Sequence, residues 1–182
     1  MSTPASGLHT TIGVAIAVPD PWGAWLQDYR TALGDDTAAG IPTHVTLMPP
    51  FEVDRGDVPE VERHLTEAAA AARPFGIHLR GTGTFRPLSP VVFVMLAEGI
   101  SACEQLAAAV RRGPLATQLR FPYHPHVTVA HHLDDDRLDR AFRELAAFEC
   151  DFPVAHFSLY VHEGPTGWVP TRDFALSSGG CG

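Results

Sequence analysis

The stretch His126-Val127-Thr128-Val129 has a counterpart earlier in the chain, His44-Val45-Thr46-Leu47. Both copies read His-Val-Thr followed by an aliphatic residue. Side chains alternate along a β-strand, so His and Thr face one way and the two aliphatic residues the other. Each copy therefore predicts a strand that offers an imidazole and a hydroxyl to a cleft while its other face packs into a core.

The surrounding elements repeat as well. Thr10 to Val18 predicts a strand, and Trp22 to Leu33 a helix with Asp20 as a cap near its start and Trp22 and Trp25 in the core. His44 to Met48 follows as the first tetrad strand, ended by Pro49-Pro50. Val58 to Arg73 predicts a helix and Phe75 to Arg86 a strand. In the second half come a strand at Val91 to Ala97 and a helix to Arg112 capped by Ser101. The tetrad strand His126 to Ala130 is next, then a helix from the Asp134–Asp136 cluster to about Phe148. Cys150 to Val161 and Trp168 to Leu176 predict the last two strands. Strand, helix, tetrad strand, helix, strand thus occurs twice, an internal duplication into two αβ lobes with one tetrad each. The expected organisation is one bilobal domain over residues 10–176, with flexible arms at 1–9 and 177–182.

Composition narrows the function classes. The chain has 182 residues, 45% of them hydrophobic and 19% charged, which suits one sizeable folded core. No apolar run approaches the ~18–20 residues of a membrane span, and no membrane association is expected. Cys103, Cys150 and Cys181 lack metal-type spacing and read as reduced thiols of a cytoplasmic protein. All 13 basic residues are Arg, and the net charge of −8 disfavours broad binding to long nucleic acid. Arg73 to Arg120 is a locally positive segment, which suits a small anionic ligand or a nucleic-acid end.

Two imidazoles facing one cleft can perform acid–base chemistry in both directions. One takes a proton from an attacking oxygen while the other gives one to a leaving oxygen. A Thr hydroxyl one step inward on the same face can donate to a non-bridging phosphoryl oxygen. The layout suits in-line attack at phosphorus with no metal or other cofactor.

The paired His-x-Thr-aliphatic motifs and the run Pro125-His126-Val127-Thr128-Val129-Ala130 resemble the 2H phosphoesterase superfamily. More narrowly the chain is similar to its bacterial 2′-5′ RNA ligase or RNA 2′,3′-cyclic phosphodiesterase branch. The resemblance implies an α+β fold, bilobal and pseudo-twofold, with antiparallel sheets around a central cleft. It implies that His44 and His126 are the acid–base pair and that Thr46 and Thr128 donate to phosphate. The implied reaction opens a 2′,3′-cyclic phosphodiester on an RNA end or a small cyclic nucleotide, and its reverse joins RNA ends through a 2′-5′ bond. Members of this branch often carry Arg five residues after the second His and an aromatic five after the first. Here those positions are His131 and Pro49, with Phe51 two places on. Tyr123, His131 and Phe51 are the candidate substrate-binding residues, and a monomer is expected.

Other readings of the same residues are weaker. His124, His126, His131 and His132 could suggest a metal site, but no nearby carboxylate completes a set, and Asp134 to Asp136 are explained by helix-start charge. His124-Pro125-His126-Val127-Thr128 brushes the histidine-triad pattern, which needs a third His at Thr128 and leaves the first tetrad unexplained. Thr82 and Thr84 read as turn residues. The competing class is a nucleotide- or RNA-end-binding protein of the same fold with little turnover.

Overall fold

The computed structural model describes residues 8–178. Of the arm expected at 1–9 and the tail expected at 177–182, residues 1–7 and 179–182, Cys181 included, lie outside these residues. His9 belongs to the first strand, and the Ser177 N–H donates to the Ala72 carbonyl. Two four-stranded antiparallel sheets carry the fold. The first contains β1 (His9–Ala17), β2 (His44–Asp54), β7 (His156–His162) and β8 (Trp168–Ala175) in the order β2-β1-β7-β8. The second contains β3 (Phe75–Thr84), β4 (Val91–Glu98), β5 (His126–His131) and β6 (Glu149–Val154) in the order β5-β4-β3-β6. Helices α1 (Trp22–Leu33), α2 (Val58–Ala70), α3 (Ile100–Val110) and α4 (Asp135–Glu144) complete the α+β architecture.

The expected pseudo-twofold relation lies in the strand order. Each tetrad strand sits at an edge, and its neighbour is the strand preceding it in sequence. The lobes are not the two halves of the chain, however, because β7 and β8 return to the first sheet. Cys150 to Val161 is accordingly not one strand. It breaks at Ala155 into β6, which pairs with β3, and β7, which pairs with β1 and β8. Burial explains the split. β6 alternates exposed and buried residues as an edge strand does, whereas β7 buries Phe157 to Tyr160 without interruption, as a central strand covered on both faces does.

Two further expectations are corrected. Pro49-Pro50 does not end the first tetrad strand, which continues to Asp54. β2 is an edge strand, and its pairing with β1 slips where the prolines sit, between Val14↔Met48 and Ile12↔Phe51. An edge and a bulge are the places where a strand tolerates a residue without an N–H. Ser101 is not a helix cap. α3 begins one residue earlier after Gly99, whose φ of +93° turns the chain out of β4. A Cβ at Gly99 would lie 2.7 Å from the Gly76 carbonyl oxygen, so only glycine fits there.

α1 shows how local sequence builds the frame. The Asp20 carboxylate accepts from the Ala24 N–H at 3.0 Å, and Gly34 closes the helix with φ +93°. Its buried stripe is Gly23, Leu26, Arg30 and Leu33. Trp22 packs on the core as expected, but Trp25 is 50% exposed and stacks on Phe148. The helices tie the lobes together, since α1 lies against β5 and α3 against β2.

Candidate functional site

Both tetrads form as the alternation predicts. His44 and Thr46 are half-buried while Val45 and Leu47 are fully buried; His126 and Thr128 are half-buried while Val127 and Val129 are fully buried. The strand partners reveal a second shared feature. In β2, Ala15 faces Thr46 but Val14 faces Met48, so Leu47 is an extra residue. In β5, Phe93 faces Thr128 but Val92 faces Ala130, so Val129 is an extra residue. The fourth residue of each tetrad is thus a β-bulge. A bulge re-aims the side chains beyond it.

The bulge decides the fate of the outlying candidates. Beyond Val129, His131 comes opposite Val91 and joins the face of His126 and Thr128. Beyond the proline irregularity, Phe51 comes opposite Ile12, whose side chain is fully buried, and packs against the core. Phe51 therefore belongs to the core side and not to the cleft.

The two catalytic candidates are held identically. The His126 Nδ1–H donates to the His124 carbonyl at 2.7 Å, and the His44 Nδ1–H donates to the Pro42 carbonyl two residues back. A carbonyl only accepts, so each bond fixes the proton on Nδ1 and leaves Nε2 as the nitrogen available for chemistry. Burial pushes both pKa values down, that of His126 to about 4. His126 is lowered further by His124 and His44, and His44 by Arg30, while the carbonyl bonds oppose the shift. That His44 acts on His126 is in keeping with a position of the two at one cleft. His131 is also lowered, by burial and then by His132, whose ring centroid lies 3.8 Å away.

Tyr123 has a different place from the one its sequence position suggested. Its hydroxyl donates to the Thr46 carbonyl at 2.7 Å, and the Arg111 guanidinium lies over its ring, 5.3 Å from the centroid. The loop before one tetrad is thereby bonded to the backbone of the other.

Three features of the site were not read from the sequence. Arg30 and Asp35 form a buried ion pair, 2% and 3% exposed, with Asp35 also accepting from the Thr37 N–H and hydroxyl. Phe85 and Phe93 pack around His126, with ring centroids 4.9 and 5.1 Å away. An apolar slot opens beside His44 and Thr46, walled by Ile41, Pro42, Met48, Tyr160 and Trp168. Thr82 and Thr84 lie in β3 and not in a turn as expected; their hydroxyls donate to the Phe142 and Val91 carbonyls. Among the described residues, no group of three or more His, Cys, Asp or Glu is gathered as metal ligands would be. Cys103 and Cys150 are buried and unpaired, and burial pushes their thiols up, to about 12 and about 11. No helix among the described residues is long and apolar enough to cross a membrane.

Each of the two antiparallel sheets carries a His-x-Thr strand at a matched edge. The family model of the 2′-5′ RNA ligase superfamily matches residues 18–166, a span that contains both tetrads, and the chain belongs to that family. A candidate phosphoesterase of Halalkalibacterium halodurans is 30% identical over 69% of this chain and 72% of its own length. One of Bacillus licheniformis is 35% identical over 56% of this chain and 60% of its own. Among solved structures, a Thermus thermophilus protein has TM-score 0.64 at 25% identity, covering 93% of this chain and 99% of its own. Escherichia coli LigT complexed with 3′-AMP has TM-score 0.63 at 19% identity, covering 92% and 98%, a likeness of fold. LigT has also been crystallised with NADP+ and with ATP. The family and the names of these relatives indicate a phosphoesterase.

Proposed function

We propose that the protein is a phosphodiesterase that opens 2′,3′-cyclic phosphodiesters, on RNA ends or small cyclic nucleotides, by two-histidine acid–base catalysis. The observation that carries this reading is the matched Nδ1-to-carbonyl bonding of His44 and His126, which leaves one Nε2 on each tetrad free to exchange a proton. In hydrolysis one Nε2 accepts a proton from water as the water oxygen attacks phosphorus. The other Nε2, protonated, gives its proton to the ribose oxygen whose bond to phosphorus breaks. The product is a phosphomonoester, and the two imidazoles end with their protons exchanged. Thr46 and Thr128 donate to the non-bridging oxygens as negative charge grows there.

Nothing in this scheme requires a metal, because the charge is met by hydroxyls and an imidazolium. With the 5′-hydroxyl of a second end attacking in place of water and the 3′-oxygen leaving as a hydroxyl, the same step would join two ends through a 2′-5′ bond. Water vastly outnumbers such hydroxyls, so hydrolysis dominates. LigT's capture with 3′-AMP supports a nucleotide-sized ligand. The test is incubation of 2′,3′-cyclic AMP and of a cyclic-ended oligoribonucleotide in EDTA, with the product phosphate assigned as 2′ or 3′. Conversion of either supports the reading. Tight binding without product favours the alternative, a nucleotide- or RNA-end-binding protein.

A further inference from the structure

The two tetrads are near copies, but the residue in front of each is not. His126 follows Pro125, whereas His44 follows Thr43, a hydroxyl-bearing residue only 5% exposed. Four polar or charged side chains are buried among the described residues: Arg30, Asp35, Thr43 and Ser158. Three of these four, Arg30, Asp35 and Thr43, belong to the helix and loop that lead into His44. Polar groups taken out of water cost free energy unless they are hydrogen-bonded, and these are bonded to one another and to the chain around them.

The bonding runs from one stripe of α1 to the loop that follows it. Gly23, Gln27 and Arg30 recur at helical spacing along one face of α1. The Arg30 guanidinium donates to the Asp35 carboxylate through Nε and Nη2, at 3.1 and 2.7 Å. The Gln27 amide donates to the Ala38 carbonyl. The Thr43 hydroxyl donates to the Gly23 carbonyl at 2.9 Å and stands 3.1 Å from the Gln27 Oε1. Thr43 is held from its main chain as well, its carbonyl accepting from the Val18 N–H at 3.0 Å. The next carbonyl back, that of Pro42, is the one that accepts from the His44 Nδ1–H. On the second side the corresponding carbonyl belongs to His124, an exposed residue, and Pro125 has no hydroxyl with which to anchor the chain.

We infer that Thr43 and Gln27 are positioning residues for His44. Pinned through its side chain and its carbonyl, Thr43 fixes the peptide that presents the Pro42 carbonyl to the imidazole. That bond keeps the ring proton on Nδ1. In the other tautomer the proton sits on Nε2, and the nitrogen that faces the reaction can no longer accept one. A carbonyl displaced from Nδ1 therefore costs activity although no contact to the substrate is lost. Thr43 and Gln27 do not line the slot beside His44, so they act through the imidazole and not on the substrate. α1 also packs on β5, the strand of His126, and one helix thereby serves as the reference for both tetrads. The inference rests on the proposed role of His44 as an acid–base group, and the experiment separates the two.

Thr43→Val keeps the shape of the side chain and removes its hydroxyl, and Thr43→Ser keeps the hydroxyl. Gln27→Met removes the amide from a helix position that tolerates Met. Circular dichroism checks that each variant is folded. The readouts are kcat and KM for 2′,3′-cyclic AMP and the His44 tautomer from nitrogen-15 chemical shifts, with its signals assigned by their loss in His44→Gln. Thr43→Val is expected to lower kcat by at least about tenfold, with KM unchanged within about twofold, and to move part of the neutral ring to the Nε2–H form. Thr43→Ser is expected to return kcat to within about threefold of wild type. Gln27→Met is expected to move both readouts the same way, and it carries the test if Thr43→Val does not fold. A tautomer unchanged in folded Thr43→Val, a rise in KM alone, or a serine variant no better than the valine one would overturn the inference. Absence of turnover by wild type removes the enzymatic reading, and the tautomer readout still decides the positioning role. Turnover by wild type with an unaltered tautomer in both Thr43→Val and Gln27→Met does the reverse.

Discussion

The Tyr123 hydroxyl donates to the main-chain carbonyl of Thr46 across the gap between the two tetrad strands, at 2.7 Å. Both β2 and β5 are sheet edges, so no ladder of backbone hydrogen bonds joins them. A bond from the loop before His126 to the bulged segment after His44 is a direct constraint on the spacing of the two imidazoles. Tyr123→Phe keeps the ring and removes this bond, leaving a carbonyl without its donor. The expected cost is about 1–3 kcal/mol by urea unfolding. Activity should fall mainly in kcat, with KM little changed, because the lost constraint positions catalytic groups. A variant that changes KM alone would instead put Tyr123 in substrate binding.

The Arg30–Asp35 pair is buried and fully bonded, and removing one partner strands the other charge. Asp35→Asn is expected to lower stability by about 3–5 kcal/mol, measured by denaturant unfolding. A cost below 1 kcal/mol, of the order of an exposed pair (about 0–1 kcal/mol), would contradict the burial that the fold gives these residues.

Stability should depend on pH through the site. The folded-state pKa of His126 is about 4, below the ~6.5 of an unfolded chain. Between these values the unfolded chain binds a proton that the folded chain refuses. The stabilisation from keeping His126 neutral is therefore complete above about pH 6.5 and is lost as pH falls toward about 4. His44, lowered in the same direction, adds to the trend. His126→Asn should reduce the slope of unfolding free energy against pH in this window, and an unchanged slope would be at odds with the assigned cause.

The same shifts set the pH–rate profile. In the proposed mechanism one imidazole is charged and the other neutral, so kcat/KM should be bell-shaped and report the free enzyme. Because both pKa values are lowered by burial, both limbs are expected below about 6.5, with the maximum on the acid side of neutrality. A profile flat from pH 5 to 9 would contradict paired imidazole catalysis.

What could be read along the chain was what is local. The period of two exposed His44, Thr46, His126 and Thr128 on one face, and the helix at Trp22–Leu33 follows from its own spacing and flanking turns. What could not be read depends on pairing across the fold. The break at Ala155 is visible only once β6 and β7 are known to join different sheets. Phe51 looked like a stand-in for an aromatic ligand, but the proline irregularity returns it to the core beside Ile12. Arg30 belongs to the buried stripe of α1, although a charged side chain on a helix ordinarily faces solvent, and its partner Asp35 lies beyond the helix end. The slot beside His44 brings together Gly13, Ala15 and Trp168, residues that are far apart in sequence and individually unremarked.

The central claim is tested most directly by hydrolysis of 2′,3′-cyclic AMP in EDTA by wild type, His44→Ala and His126→Ala. Each substitution is expected to lower kcat by roughly 10²–10⁴-fold while leaving the protein folded. The double variant should be little worse than either single one, because acid and base act as a unit. Undiminished turnover in either single variant would contradict the account.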